Sequence, residues 1–303
     1  MNKEKIIIIS GPTAVGKTAL SIELAKKFNG EIINADSIQI YKGLNIGSAK
    51  ITKEEKEGIK HHLLDFLSPF DTFSTGDYVK KAKQVISEII SRNKTPIIVG
   101  GTGMYITSLL FDIGATCGKD EKYREELECF IKNNSLDELY LKLKEIDPES
   151  AEKIHPHQKD RIIRALEIYH LTGKKKSEQQ NSLESNYDYL LFGLYDDREI
   201  VYERINNRVD KMIDMGLLDE VQELIKLGVT IENQCAQAIG YKEPYEYLIG
   251  NITKEEFLDK LKQNTRNYAK RQITYLKKIP NIIWKKYSEK EEIFKMVGDF
   301  INE

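Results

Sequence analysis

Lys5-Ile-Ile-Ile-Ile-Ser10-Gly11-Pro-Thr-Ala-Val-Gly16-Lys17-Thr18 is the stretch on which the fold turns. Its first half is a short β-branched run closed by Ser10-Gly11-Pro12, the pattern of a strand buried on both faces and hence central in a parallel sheet. Its second half matches G-x-x-x-x-G-K-[ST]. Beyond it, Ala19, Leu20, Ile22, Leu24, Ala25 and Phe28 recur at helical spacing until Asn29-Gly30 stops them. The order strand, glycine loop, helix is the context the motif requires. The backbone N–H groups of Gly11, Pro12, Thr13, Ala14, Val15, Gly16, Lys17 and Thr18 (proline excepted) can wrap a phosphate, with Lys17 as a point charge and Thr18 as a magnesium ligand. A phosphate or diphosphate is expected here, whether from a nucleotide or another diphosphate ester.

Working outward, Glu31–Asn34 reads as the next strand. Asp77–Ser91 places Val79, Ala82, Val85, Ile86, Ile89 and Ile90 on one helical face, and Pro96–Val99 follows as a strand that ends in Gly100-Gly101-Thr102-Gly103. Past about Thr116 the texture changes to charged helical segments, 121–132, 136–144 and 160–171. A strand pattern returns at Tyr189–Leu194, and the remainder reads as mostly helical. The expected architecture is α/β: a P-loop NTPase-like parallel sheet flanked by helices, its core in 1–115, an inserted helical subdomain in 116–187, and core completion with C-terminal helices in 188–303. Lys174 to Asn181 is the most loop-like stretch.

The 303 residues carry 46 Lys+Arg against 48 Asp+Glu, a net charge of −2, so no global preference for a polyanion exists and only local basic stretches can hold RNA. No apolar stretch near the start approaches the roughly 20 residues of a membrane span, and neither a membrane nor a signal segment is expected; the default compartment is the cytoplasm. Cys117, Cys129 and Cys235 are odd in number and widely spaced, and read as reduced thiols.

Because the carboxyl ends of neighbouring parallel strands share one edge, Asp36 and Thr102 fall beside the phosphate loop. Asp36 can be a turn residue, a magnesium ligand or a general base. Thr102 offers a hydroxyl and an N–H, or simply an ordinary glycine-rich turn. No apolar run ends in Asp-Glu to place a hydrolytic water, which disfavours a motor or switch ATPase. His61-His62 cannot face one metal from a strand or helix, and a structural role is expected. Arg161 and Arg164 with Lys159 and Lys174–Lys176, and Arg266, Lys270, Arg271, Lys277 and Lys278 with Tyr268 and Tyr275, are either solvated faces or phosphate tracks.

Taken together, Gly11–Thr18, Ala35-Asp-Ser-Ile-Gln-Ile-Tyr41, Asn45–Lys50, His61–Asp65, Gly100–Tyr105, Arg161-Ile-Ile-Arg-Ala-Leu-Glu167, Arg208 with Met215-Gly-Leu217, Ala238–Lys242 and Lys270–Thr274 run in order over nearly the whole chain. The series resembles the bacterial tRNA dimethylallyltransferases (tRNA isopentenyltransferases). The resemblance implies transfer of the dimethylallyl group of dimethylallyl diphosphate to N6 of adenine 37, in the anticodon loop of tRNAs that read codons beginning with U. It implies Asp36 as the base, with Lys17 and Thr102 also catalytic. The diphosphate is expected on the loop 11–18 and Arg208, with Mg2+ on Thr18. It implies tRNA contacts at Asp36, Ser37, Ile38, Gln39, Thr102, Arg124, Asp160, Arg161, Ile162, Ile163 and Arg164, more weakly at Gln237–Lys242, in a monomer. Val15 stands where a small Ser or Ala is commoner, and Asp160-Arg161-Ile-Ile-Arg164 replaces a Gln-Arg form. The rival readings are a P-loop small-molecule kinase and a non-catalytic RNA-binding P-loop protein.

Overall fold

A computed structural model describes residues 3–112, 118–178 and 184–303. The chain divides into two compact units, one built from 1–110 and 185–303, the other from 111–184. In the first, six parallel strands lie in the order β3-β2-β4-β1-β5-β6, with β1 at Lys5–Ser10, β2 at Gly30–Asn34, β3 at His61–His62, β4 at Thr95–Gly100, β5 at Asp188–Leu194 and β6 at Ile282–Lys285. Ile6 to Ile9 are fully buried, and Ile8 pairs with Ile98 on one side and Leu191 on the other. A strand enclosed by two neighbours and two helical layers has no solvent face, which is why its sequence shows no alternation.

Helix α1 (Lys17–Lys27) packs Leu20, Ile22 and Leu24 onto this sheet, and α2 (Thr75–Ser91) does so with Val79, Ala82, Ile86 and Ile89. Helix α2 starts two residues before the expected Asp77 because Ser74 and Asp77 form a reciprocal capping box that satisfies the first-turn amides. Helix α3 (Gly103–Phe111) leaves the sheet, and Asn186 N–H donates to Leu110 O at 3.0 Å, so the chain is back on the sheet unit by Ser185. The helical unit therefore spans 111–184, against the expected 116–187.

That unit holds α4 (Glu121–Asn133), α5 (Leu136–Ile146), α6 (Pro148–Lys153) and α7 (Lys159–Thr172) around Leu127, Leu139, Leu143, Ile154, Ile162 and Leu166. Returning to the sheet unit, α8 (Arg198–Asp214), α9 (Leu217–Lys226), α10 (Lys242–Leu248), α11 (Lys254–Leu276) and α12 (Lys290–Asn302) complete it. The loop-like stretch 174–181 is a turn as far as Glu178; 179–183, and Cys117, lie outside the described residues. Cys129 and Cys235 are free thiols. No helix among the described residues is long and apolar enough to cross a membrane.

The His61-His62 pair forms the edge strand β3, a structural role. His62 Nε2 lies 2.6 Å from Glu31 Oε2, and the same buried carboxylate takes Arg92 at 2.7 Å and Lys94 at 3.0 Å. Burial alone would raise the Glu31 carboxyl, but hydrogen bonds from His62, Lys94 and Arg92 outweigh it and hold it at about 2. A carboxylate depressed on folding contributes stability that is present above its unfolded value and fades as pH falls through the folded one. Glu31→Gln is expected to lose on the order of 2 kcal/mol at neutral pH, with the deficit against the parent shrinking between about pH 4.5 and 2. Urea unfolding at pH 7 and pH 3 checks this, and an equal deficit at both would contradict it.

Candidate active site

The phosphate loop gets its shape from close approaches. Gly11 has φ +146°, and a Cβ there would fall 2.4 Å from Leu194 O, so only glycine lets β1 turn beside β5. Ala14 (φ +67°) and Gly16 (φ +91°) are left-handed on either side of Val15. Such alternation turns successive amides to one side as an anion nest at the start of α1. Val15 is 2% exposed and packs in the sheet core, so its unusual bulk points away from the work of the loop's backbone.

Lys17 Nζ donates to Gly11 O (3.0 Å) and Pro12 O (2.6 Å). Burial and the neighbouring Arg208 guanidinium push its ammonium down to about 8, against a smaller opposing pull from Asp36. Arg208, on α8, reaches Thr13 Oγ1 at 2.9 Å, and burial draws it below the ordinary guanidinium value with only Glu55 as a compensating charge. Two partly desolvated cations beside a nest of amides form a site whose missing charge is negative.

Asp36 follows β2. Its Oδ1 accepts the N–H groups of Ile38 (2.9 Å) and Gln39 (3.3 Å), and its own N–H donates to Asn34 Oδ1. The turn role and the site role thus coincide, because Asp36, Ser37, Ile38 and Gln39 line one cavity of about 940 Å3 with Lys17, Thr18 and Arg208. Gly11, Pro12 and Thr102 are not among the residues that line it. The Thr102 hydroxyl accepts the Ser37 N–H at 3.1 Å, which fastens the Asp36–Ser37 turn. Thr18 is exposed and lines the cavity. No group of three or more acidic, His or Cys side chains that could hold a metal ion exists among the described residues. This donor set suits a hard cation that takes most of its ligands from phosphate oxygens and water.

The cavity is completed by residues of the helix read above as a solvated face or a phosphate track, whose Lys270–Thr274 series was given no role at the site. Helix α11 contributes Tyr268, Arg271 and Gln272. Gln272 is buried; its Oε1 accepts Thr13 N–H at 3.2 Å and its Nε2 donates to Gly101 O at 3.0 Å, tying the phosphate loop to the turn after β4. Its signal in the sequence was an amide on the buried face of a helix, between Ala269 and Leu276. Burial, and then the charge of Asp36, raises the Tyr268 hydroxyl, which is therefore a neutral hydrogen-bonding group at neutral pH.

The expected tRNA residues of the helical unit fall in different surroundings. Ile162 and Ile163 are 0% and 3% exposed, so their side chains pack in its core and support α7 rather than facing solvent. Arg124 and Arg164 converge on Glu167, which is fully buried: Arg124 Nε and Nη2 lie 2.6 and 2.8 Å from its oxygens, and Arg164 Nη1 lies 2.5 Å away. Those hydrogen bonds hold Glu167 at about 2 against the opposing effect of burial. Asp160 and Arg161 remain on the exposed face of α7.

Comparison with known proteins places this geometry. The family model described as IPP transferase matches residues 39–279. The tRNA dimethylallyltransferase of Oceanobacillus iheyensis is 48% identical over 94% of this chain and 91% of its own length, and that of Anoxybacillus flavithermus 50% identical over 93% and 90%. Among solved structures, a full-length tRNA isopentenylpyrophosphate transferase from Bacillus halodurans superposes with a TM-score of 0.75 at 43% identity, covering 99% of this chain and 97% of its own. A eukaryotic dimethylallyltransferase acting on tRNA gives 0.84 at 33% identity, covering 99% of this chain and 80% of that one. The match over most of the length, in sequence and in fold, means that the chain belongs to the IPP transferase family.

Proposed function

We propose that the chain transfers the dimethylallyl group of dimethylallyl diphosphate to the exocyclic N6 of adenine 37, beside the anticodon of tRNAs reading codons that begin with U, and releases diphosphate. The relatives it matches are tRNA dimethylallyltransferases, and neither a small-molecule kinase nor a non-catalytic RNA-binding protein finds support among them. The observation that carries the finer reading is the juxtaposition of Asp36 with Lys17 and Arg208 on one cavity: a proton acceptor and an oxyanion receptor share a single space.

An exocyclic amine conjugated with a purine is a weak nucleophile. As its nitrogen bonds to the allylic carbon, the carbon–oxygen bond to the diphosphate breaks and the N6 proton passes to the Asp36 carboxylate. The departing diphosphate is received by the amides of the phosphate loop, Lys17 and Arg208, whose donors are already in place. Mg2+, held by Thr18, would supply further charge neutralisation on the diphosphate. Val209, Met212, Ile239 and Leu261 give the cavity an apolar wall for the five-carbon tail.

The target base leaves its stack to reach the cavity, where Ser37, Ile38 and Gln39 meet it. Asp160 and Arg161 on α7 are assigned to the tRNA as well. Arg124 and Arg164 are assigned with them, since a guanidinium with five donors can hold a carboxylate and a phosphate together. On this reading the protein acts as a monomer in the cytoplasm, where its tRNA is. Incubation with labelled dimethylallyl diphosphate, Mg2+ and unmodified tRNA is expected to move label into RNA at position 37. Label that stays in the donor, with ATP consumed instead, would establish the kinase reading.

A further inference from the structure

We propose that Glu220, on α9 and outside the cavity lining, is a positioning residue for the transfer reaction; this rests on the reading of Asp36 as the proton acceptor. The Glu220 carboxylate accepts the N–H groups of three consecutive residues, Asn45 (2.9 Å), Ile46 (2.8 and 3.0 Å) and Gly47 (3.1 Å), and the O–H of Tyr241 (2.8 Å). The Tyr241 oxygen in turn accepts the Ser48 N–H at 3.2 Å. Hydrogen bonds to an ionised acceptor are roughly twice as strong as neutral ones, so the gathered amides fix the segment 45–48 as a unit.

That segment holds the Asp36 turn. Ser48 O and Ala49 O accept the Gln39 side-chain amide at 3.1 and 3.3 Å, and the Gln39 backbone N–H donates to Asp36 Oδ1 at 3.3 Å. A continuous series of hydrogen bonds therefore runs from Glu220 through 45–49 and Gln39 to the proton acceptor. The segment is also wedged against the turn at 237–241. A Cβ on Gly47 would lie 2.7 Å from Gly240 O, and a Cβ on Gly240 (φ +94°) would lie 2.5 Å from Gly47 O. Glu243 pins that turn by accepting Gly240 N–H at 3.0 Å and the Asn264 side-chain amide at 2.8 Å. Both segments border the cavity, and what loosening Glu220 frees is the hold on the turn that aims Asp36.

Glu220→Gln keeps size but turns one acceptor oxygen into a donor facing donors. The single-turnover transfer rate is expected to fall roughly 10- to 100-fold, the effect of a misplacement of about 1 Å at a reacting group. The affinity for inorganic pyrophosphate, measured by calorimetry, is expected to stay within about twofold, because the phosphate loop hangs on Gln272 and β5. Placed on an Asp36→Asn background, Glu220→Gln is expected to change the residual rate by less than about twofold, since there is no base left to position. A parent-like rate for Glu220→Gln, or a full additional loss on that background, overturns the proposal. Should Glu220→Gln not fold, Tyr241→Phe removes one donor to Glu220 and the acceptor of the Ser48 N–H, and is expected to show a smaller drop with the same dependence on Asp36; a parent-like rate there overturns it too. A parent that transfers no label refutes the proposed function itself, which is a different result from a competent parent indifferent to Glu220.

Discussion

Asp36→Asn is expected to slow transfer by about 10²- to 10⁴-fold, the range for loss of a general base, while leaving pyrophosphate and tRNA binding close to the parent's. The asparagine amide is nearly isosteric and keeps an Oδ1 able to accept the Ile38 and Gln39 N–H groups, so the turn survives. What disappears is a carboxylate able to take the N6 proton. Asp36→Ala, by contrast, would also release the two amides and disturb the turn, which makes the asparagine variant the cleaner measurement. Single-turnover transfer with saturating tRNA and donor reads the chemical step. A parent-like rate for Asp36→Asn would remove the carboxylate from the mechanism.

The second large effect falls on the donor. Lys17→Ala deletes a partly desolvated cation from the diphosphate cradle, a charge-assisted contact worth about 1.5–3 kcal/mol, or roughly 10- to 150-fold in affinity. The transfer rate should fall as well, since charge on the leaving group grows as the bond breaks. The same side chain gives the parent a pH signature. With its ammonium at about 8 in the free protein, Lys17 begins to lose its proton just above neutrality. A bound diphosphate favours the charged form and raises that value, so binding takes up a proton in this range. Pyrophosphate affinity is expected to decline above about pH 8, by at most tenfold per pH unit, and the decline should be missing from Lys17→Ala. Calorimetry between pH 7 and 9.5 in buffers of different ionisation enthalpy measures both quantities. An affinity independent of pH, with no proton uptake, would place the Lys17 ammonium elsewhere.

How much could be read beforehand depended on how local each signal was. Strand β1 and the loop after it were legible because burial on both sides leaves a continuous isoleucine run, and the loop's chemistry is contiguous in sequence. Strands β3 and β6 were not, since two residues and four residues are too short to display a period, and both lie at sheet edges. In the site, Lys17, Asp36 and Arg208 came from motifs and resemblance. Gln272 and Tyr268 act through partners more than 160 residues away, and nothing in their own neighbourhood announces that. Thr102 was placed at the sheet edge, but which way its hydroxyl turns is decided by Ser37. The Asp160–Arg164 segment shows the limit of carrying a motif whole: a helix divides five successive residues between core and solvent, whatever the motif they share.

The sheet order also bears on how the protein is made. Strand β1 sits between β4 and β5, yet β5 is separated from β4 by the entire helical unit. A ribosome that has released residues 1–184 has delivered everything needed to zip β1 against β4, while the opposite rim of that isoleucine-rich strand still waits for its partner. Until residues 188–194 emerge, that rim is an adhesive template for any other extended chain nearby, and synthesis through the insertion is the interval in which a nascent copy most needs a chaperone.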